Sequence, residues 1–221
     1  MNFKRRKKDI LSKLDKSSKK SWDEKIVSLC KKINSLENFY TTSSCSGRIV
    51  LLVDNAKKTS GLFIKVWHEM ISFEELKKEL EKIVLVNSRI DDFAPDIRQG
   101  ASQKKINTKK ILKEIDMRKQ RIIQRVVFKQ EPIILHVACE SLAETLDFLK
   151  KARNVGFKRG GIISGGRRFV LELIGTEKLE FPIISEGKLL VDDKFLKIIV
   201  KKANENLKKS WLRVGKLKNI L

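Results

Sequence analysis

Apolar residues recur at helical spacing in some stretches of the chain and crowd into short runs in others, so the pattern predicts helices interleaved with strands. Trp22, Ile26, Leu29, Ile33 and Leu36, with lysines between them, predict an amphipathic helix over 22–36. Ser21-Trp22-Asp23-Glu24 ahead of it has capping-box spacing, a hydroxyl for the Glu24 amide and a carboxylate reaching back. Phe39-Tyr40-Thr41-Thr42 and residues 48–53 are rich in aromatic and β-branched side chains and predict two strands. Between them lies the small-residue turn Ser43-Ser44-Cys45-Ser46-Gly47. Residues 61–68 predict another strand, Ser72-Phe73-Glu74-Glu75 opens a short helix to about Lys82, and residues 83–86 suit a further strand.

The stretch 87–124 differs in character. Breakers at Pro95 and Gly100 are followed by a basic helical pattern through Ile106, Ile111, Leu112, Ile115 and Ile122, which reads as an insertion. Strand composition returns at 125–129 and 133–139. A third capping box, Ser141-Leu142-Ala143-Glu144, starts a helix that Gly156 ends. Short strands are expected at 161–164, 167–174, 181–184 and 188–191. Asp192 and Asp193 then open a final helix with Phe195, Leu196, Ile199, Ala203 and Leu207 on one side. Strands and helices do not alternate strictly, so the expected class is α+β, a mixed sheet flanked by helices rather than a doubly wound fold. We expect a single domain, 1–221, with basic helices at both ends and a basic insertion at about 83–124.

Charge sharpens this outline. The 221 residues carry a formal charge of +22, and it is concentrated. Residues 1–32 hold 12 basic and 4 acidic side chains, 98–130 hold 11 and 2, and 194–218 hold 9 and 1, leaving the rest slightly acidic at −3. Focused positive charge around a near-neutral core fits a polyanion partner, nucleic acid or an anionic membrane surface. No run approaches the roughly 18 apolar residues of a membrane span, and the basic start has no apolar segment behind it, so a soluble, unsecreted protein is expected. Cys30, Cys45 and Cys139 lie far apart with no C-x-x-C pair, which speaks for a reducing compartment and against a disulfide framework or zinc knuckle.

Candidate chemistry is sparse. The glycines from Gly156 to Gly166 lack the Lys-Ser/Thr of a phosphate-binding loop, and no G-x-G-x-x-G occurs, which disfavours a nucleotide fold of the common kinds. The turn Ser43-Ser44-Cys45-Ser46-Gly47-Arg48 offers hydroxyls, backbone amides and a cation, a possible anion cradle. Cys45 beside Arg48 is alternatively a nucleophile. The two histidines, His68 and His136, fall on expected strands. Each is a candidate general base or a residue bonded to backbone, and their separation carries no metal-ligand spacing, so no metal is expected.

Five separated blocks resemble the wybutosine-synthesis tRNA methyltransferase family. They are Leu11-Ser12-Lys13 with Asp15-Lys16-Ser17 and Asp23; Phe39-Tyr40-Thr41-Thr42-Ser43-Ser44-Cys45-Ser46-Gly47-Arg48-Ile49; Trp67-His68; Glu131-Pro132-Ile133-Ile134-Leu135-His136-Val137; and Gly156-Phe157-Lys158 with Gly161-Ile162. The stretch 180–204, with Gly187-Lys188-Leu189-Leu190-Val191 and Ala203-Asn204, is similar too. The resemblance implies a cytoplasmic transferase of tRNA processing, with a non-Rossmann methyltransferase fold. It would use S-adenosyl-L-methionine to N-methylate the wyosine-type tricyclic base 3′ of the anticodon in phenylalanine tRNA. It also implies His68 and His136 as catalytic candidates, with Ser43, Ser44, Cys45, Gly47, Arg48, Gly156, Phe157 and Asn204 about the cofactor, Phe157 as a stacking face, and the anticodon stem-loop as partner. A non-catalytic basic tRNA-binding protein on the same scaffold is the alternative. Gly160 stands where the family usually has serine.

Overall fold

Three short crossovers carry the chain back and forth between two antiparallel sheets, and these replace the single mixed sheet expected. The structure is a computed structural model that describes residues 2–13, 22–54, 63–98 and 125–221. Its elements are α1 Phe3–Leu11, α2 Glu24–Ser35, β1 Phe39–Cys45, β2 Arg48–Val53, β3 Phe63–Trp67, α3 Phe73–Arg98, β4 Arg125–Glu131 and β5 Ile134–Cys139. They continue with α4 Leu142–Asn154, β6 Arg159–Ser164, β7 Phe169–Ile174, β8 Leu179–Ser185, β9 Lys188–Leu189 and α5 Asp193–Ile220. The first sheet has the order β1-β5-β7-β6 and the second β3-β2-β4-β8-β9, so the class is α+β.

Each sheet has its own core. The first buries Leu135, Val137, Leu171 and Leu173 against Ile26, Leu29 and Ile33 of α2 and Phe148 of α4. The second buries Ile49, Leu51, Val126 and Phe128 against Leu76 and Leu80 of α3. Helix α5 is the shared element: Leu196, Ile199, Ala203 and Leu207 pack in the second core, Val214 and Leu217 in the first. At a rise of 1.5 Å per residue its 28 residues span about 42 Å, enough to cross both layers. Phe195, expected on the apolar side, is instead 40% exposed at the helix start, its ring edge-on to Phe181.

The crossovers meet beneath α5. β1 leaves the first sheet at Ser46-Gly47, β4 leaves the second at Pro132-Ile133, and β7 returns through Gly175, whose N–H donates to the Ile133 carbonyl at 2.9 Å. Gly47 has φ +92°, and a Cβ there would stand 3.1 Å from the Glu131 carbonyl oxygen and 3.2 Å from Leu207 Cδ2, so only glycine fits this bend. Buried polar groups lock the junction. Asn206 Nδ2 donates to Gln130 Oε1 at 2.8 Å, and Gln130 Nε2 donates to the Glu131 carbonyl at 2.9 Å. Trp211 Nε1 donates to the Ser46 carbonyl at 3.2 Å.

Several expectations change. β1 runs on through Ser43, Ser44 and Cys45, because a bulge between Thr41 and Ser43 keeps it paired with β5, and only Ser46-Gly47 remains as the turn. Residues 83–86 are helical, not a strand. Once Ser72 and Glu75 form their capping box, α3 continues past Lys82, and the apolar run supplies Ile83 to the second core. The capping box at Ser141 is formed in full. Ser21 lies outside the described residues, as does the stretch 99–124, and α2 is capped at Asp23 without a side-chain bond to the helix. The reason is chemical: the Asp23 carboxylate is used elsewhere.

Candidate functional site

The end of β1 brings together residues far apart in the chain. Asp23 Oδ2 accepts from the Ser46 N–H at 2.9 Å and the Ser46 hydroxyl at 3.2 Å, while Oδ1 lies 2.9 Å from His68 Nδ1. The 43–48 segment is thus an anion cradle in part, but the anion it holds is the protein's own Asp23. The amides of 43–45 belong to strand β1 rather than to an open loop. Asn204 fixes the segment behind His68, since its side-chain amide donates to the Ile71 carbonyl at 2.8 Å and accepts from the Ile71 N–H at 3.1 Å. Asn204 therefore positions the loop that follows His68.

Cys45 completes this cluster. One donor atom each from Asp23, Cys45 and His68 fall within 4.8 Å of one another, a spacing that would admit a single cation. Both oxygens of Asp23 already face protein groups, and the Cys45 thiol is pushed up to about 11, by burial first and then by the Asp23 charge. A protonated thiol is no nucleophile at neutral pH, so the nucleophile alternative falls. Alkylation of the folded protein at pH 8, mapped by mass spectrometry, is expected to leave Cys45 unmodified and to label it only as pH nears 11. Cys139 is raised to about 11 by burial as well. An unfolded chain ionises both thiols near the ordinary value of 9.0, so stability that is intact below pH 9 should decline from there to about pH 11.

Two residues back along β1, about 7 Å at strand rise, a second histidine is held by a second carboxylate. Ser43 pairs with His136 of β5, and His136 pairs with Glu172 of β7, so the three stand in one row across the first sheet. His136 Nε2 lies 2.7 Å from Glu172 Oε2. Ser43 is exposed, and His136 and Glu172 are about a quarter exposed, so this row opens on the face opposite the apolar core. Ser44 points the other way, toward α2, where it accepts from Cys30 Sγ at 3.4 Å. In both histidine pairs one ring nitrogen meets a carboxylate, which leaves the other to take a proton.

The remaining expected residues each have partners within the protein. Arg48 is spent on Glu131, its cross-strand partner, with Nε 2.5 Å from Oε2 and the guanidinium over the Phe63 ring. Gly156, at φ +102°, ends α4 and lets Arg213 pass 3.1 Å from where a Cβ would be, on its way to a two-pronged ion pair with Glu177. That pair holds the Glu177 carboxyl below the usual range. Phe157 is fully buried in the first core, so its ring offers no stacking face. At Gly160 a Cβ would stand 2.5 Å from the Glu172 carbonyl oxygen, so the missing serine reflects a backbone course with no room for it, not merely a lost hydroxyl. Asp23 and Glu172 were not among the expected site residues. A lone glutamate in the apolar strand Phe169–Ile174 was a readable signal; Asp23 was hidden by its resemblance to a helix cap.

Comparison with known proteins agrees with this fold. Over 219 residues the chain is 30% identical to an Archaeoglobus fulgidus protein named tRNA(Phe) 7-((3-amino-3-carboxypropyl)-4-demethylwyosine(37)-N(4))-methyltransferase, covering 98% of this chain and 91% of the relative. It is also 30% identical to the Mus musculus tRNA wybutosine-synthesizing protein 3 homolog, covering 99% of this chain and 72% of that one. Among solved structures, the PH1069 protein of Pyrococcus horikoshii superposes with a TM-score of 0.73 at 25% identity, covering 99% of this chain and 93% of that one. Residues 5–221 match the family model described as Methyltransferase TYW3, and the chain belongs to that family.

Proposed function

We propose that this methyltransferase transfers a methyl group from S-adenosyl-L-methionine to N4 of a demethylwyosine-type base 3′ of the anticodon in tRNA(Phe). The observation that carries the reading is the pair of carboxylate-held histidines, His68 on Asp23 and His136 on Glu172, in a chain aligned almost end to end with relatives named for that reaction. The donor, when bound, supplies an activated sulfonium methyl. Its amino-acid end needs a carboxylate for the ammonium and hydroxyl or amide donors for the acid, and Glu172 and Ser43 form such a set on one strand row.

The chain's own task is then to orient the base and receive a proton. Asp23 Oδ1 stands 2.9 Å from His68 Nδ1, close enough for the charge to be felt although the two are not aligned as a hydrogen bond, and a proton drawn to Nδ1 by that carboxylate leaves Nε2 as the acceptor. The Asn204 clamp on Ile71 and the Asp23 hydrogen bonds to Ser46 keep that imidazole from swinging, which is how positioning lowers a barrier. Catalysis by a single domain in the cytoplasm fits three cysteines that lie far apart in sequence with no C-x-x-C pair, which suit a reducing compartment. Basic helices α1 and α5 supply the charge for the anticodon stem-loop. Labelled methyl transfer to tRNA(Phe) bearing the 4-demethylated base, beside the same tRNA lacking the tricyclic base, tests the reading. Label should enter the first RNA alone; equal labelling of both, or of neither, would refute it.

A further inference from the structure

We propose that the cleft between α1 and the β6–β7 turn is a built binding site for an RNA phosphodiester, held by Arg6, Arg167 and Arg168. This rests on the reading of tRNA as substrate and adds where its backbone is gripped. Phe3 anchors α1 on the first sheet, its ring 5.2 Å from that of Tyr40 and packed with Ala138. Asn2 caps the helix from the Lys4 N–H, so its placement is set by packing and capping together. That placement aims Arg6 at the turn that carries Arg167 and Arg168, and Phe3, Arg6, Arg167 and Arg168 line a small open cleft of about 40 Å³.

The three guanidiniums share one cleft without a carboxylate among them, as Arg5, Arg153 and Arg159 do singly elsewhere. Arg48, Arg125 and Arg213 each meet a carboxylate, whereas among the described residues none is paired with Arg6, Arg167 or Arg168. The Nε atoms of Arg6 and Arg168 are moreover shielded from water with no hydrogen-bond partner. Buried charged donors left unmatched are costly, and three like charges around one cleft repel, so the arrangement calls for an anion. A planar fork of N–H groups matches a phosphate with two hydrogen bonds per arginine.

The cleft also stands in the right place. Ala138 and His136 are two apart on β5 and therefore share the face of the first sheet on which α1 lies. Arg168 precedes Glu172 by four residues, about 13 Å at strand rise, so a backbone seated in the cleft runs beside the His136–Glu172 row. The glycines at 165 and 166, the latter at φ +113°, make the turn that brings the two arginines round.

Fluorescence titration of a tRNA(Phe) anticodon stem-loop, with the donor titrated separately by calorimetry, tests the site on the full chain. The double variant Arg6→Ala/Arg168→Ala should bind the RNA at least about 10-fold more weakly, with the slope of log K against log salt reduced by about one to two. Arg6→Lys/Arg168→Lys should keep most of that slope yet bind more weakly, because the fork is lost and the charge is not. Lys201→Ala/Lys202→Ala, which removes equal charge from α5, should cost clearly less. RNA affinity within twofold of wild type in the alanine pair, or an equal loss in the α5 control, overturns the proposal. Lost donor affinity with RNA binding intact, or competition by millimolar inorganic phosphate at matched ionic strength, would overturn it in favour of a small-anion site. RNA binding is read without turnover, so a failed methylation assay leaves this result standing.

Discussion

Asp23→Asn is expected to slow single-turnover methyl transfer by about 100- to 10,000-fold while leaving the fold and tRNA affinity nearly unchanged, the range that loss of a positioned acid–base group produces. Three contacts of Asp23 decide the outcome. Asp23 Oδ2 takes the Ser46 N–H and hydroxyl, and an asparagine oxygen can still accept both. Asparagine also remains a good residue for the start of α2, so melting temperature should move little. What cannot survive is the charge at 2.9 Å from His68 Nδ1, because an amide NH2 turned toward the ring favours the tautomer with its proton on Nε2. The nitrogen that faces substrate then becomes a donor. A fall in kcat with unchanged KM is the signature; Glu172→Gln, run beside it, asks the same of His136. Rates within threefold of wild type in both variants would remove the carboxylate–histidine mechanism, and a large loss confined to Glu172→Gln would move the base to His136.

These pairs show which parts of the chain were legible beforehand. Helices announced themselves: the capping boxes at Ser72 and Ser141 and the Asp192 cap are local chemistry, and α2, α4 and the start of α5 lie where spacing put them. β-Branched runs located most strands. What no local pattern carries is which sheet a strand joins, and β1 and β2, neighbours in sequence with a two-residue link, belong to different sheets. The same long-range step decides the site. His68, His136 and Cys45 were visible as rare residue types, but their partners came from other elements, Asp23 from the head of α2 and Glu172 from β7. Arg48, Phe157 and Asn204 have partners that sequence did not announce either: a cross-strand acid, a core and a loop carbonyl.

The junction that separates the sheets should show a strong, non-additive response. Leu207→Ala is expected to cost about 2–5 kcal/mol, the range for emptying a fully buried leucine site. Gly47→Ala is expected to cost about 1–3 kcal/mol from the left-handed backbone alone, since φ is +92°. Contact adds to it, with Leu207 Cδ2 at 3.2 Å from the new Cβ. Removing Leu207 abolishes that contact and gives the new methyl room, so the double variant should lose less than the two single losses combined, by about 0.5 kcal/mol or more. Complete relief is not expected, because the Glu131 carbonyl oxygen at 3.1 Å is backbone of β4 and the positive φ persists. Urea unfolding of the four proteins measures the coupling. Additivity within 0.3 kcal/mol, with unchanged m-values, would mean that Leu207 does not brace the Gly47 bend. Because Ser46 precedes that bend and holds Asp23, Gly47→Ala should also lower methyl transfer beyond its effect on stability, tying the sheet junction to the His68 pair.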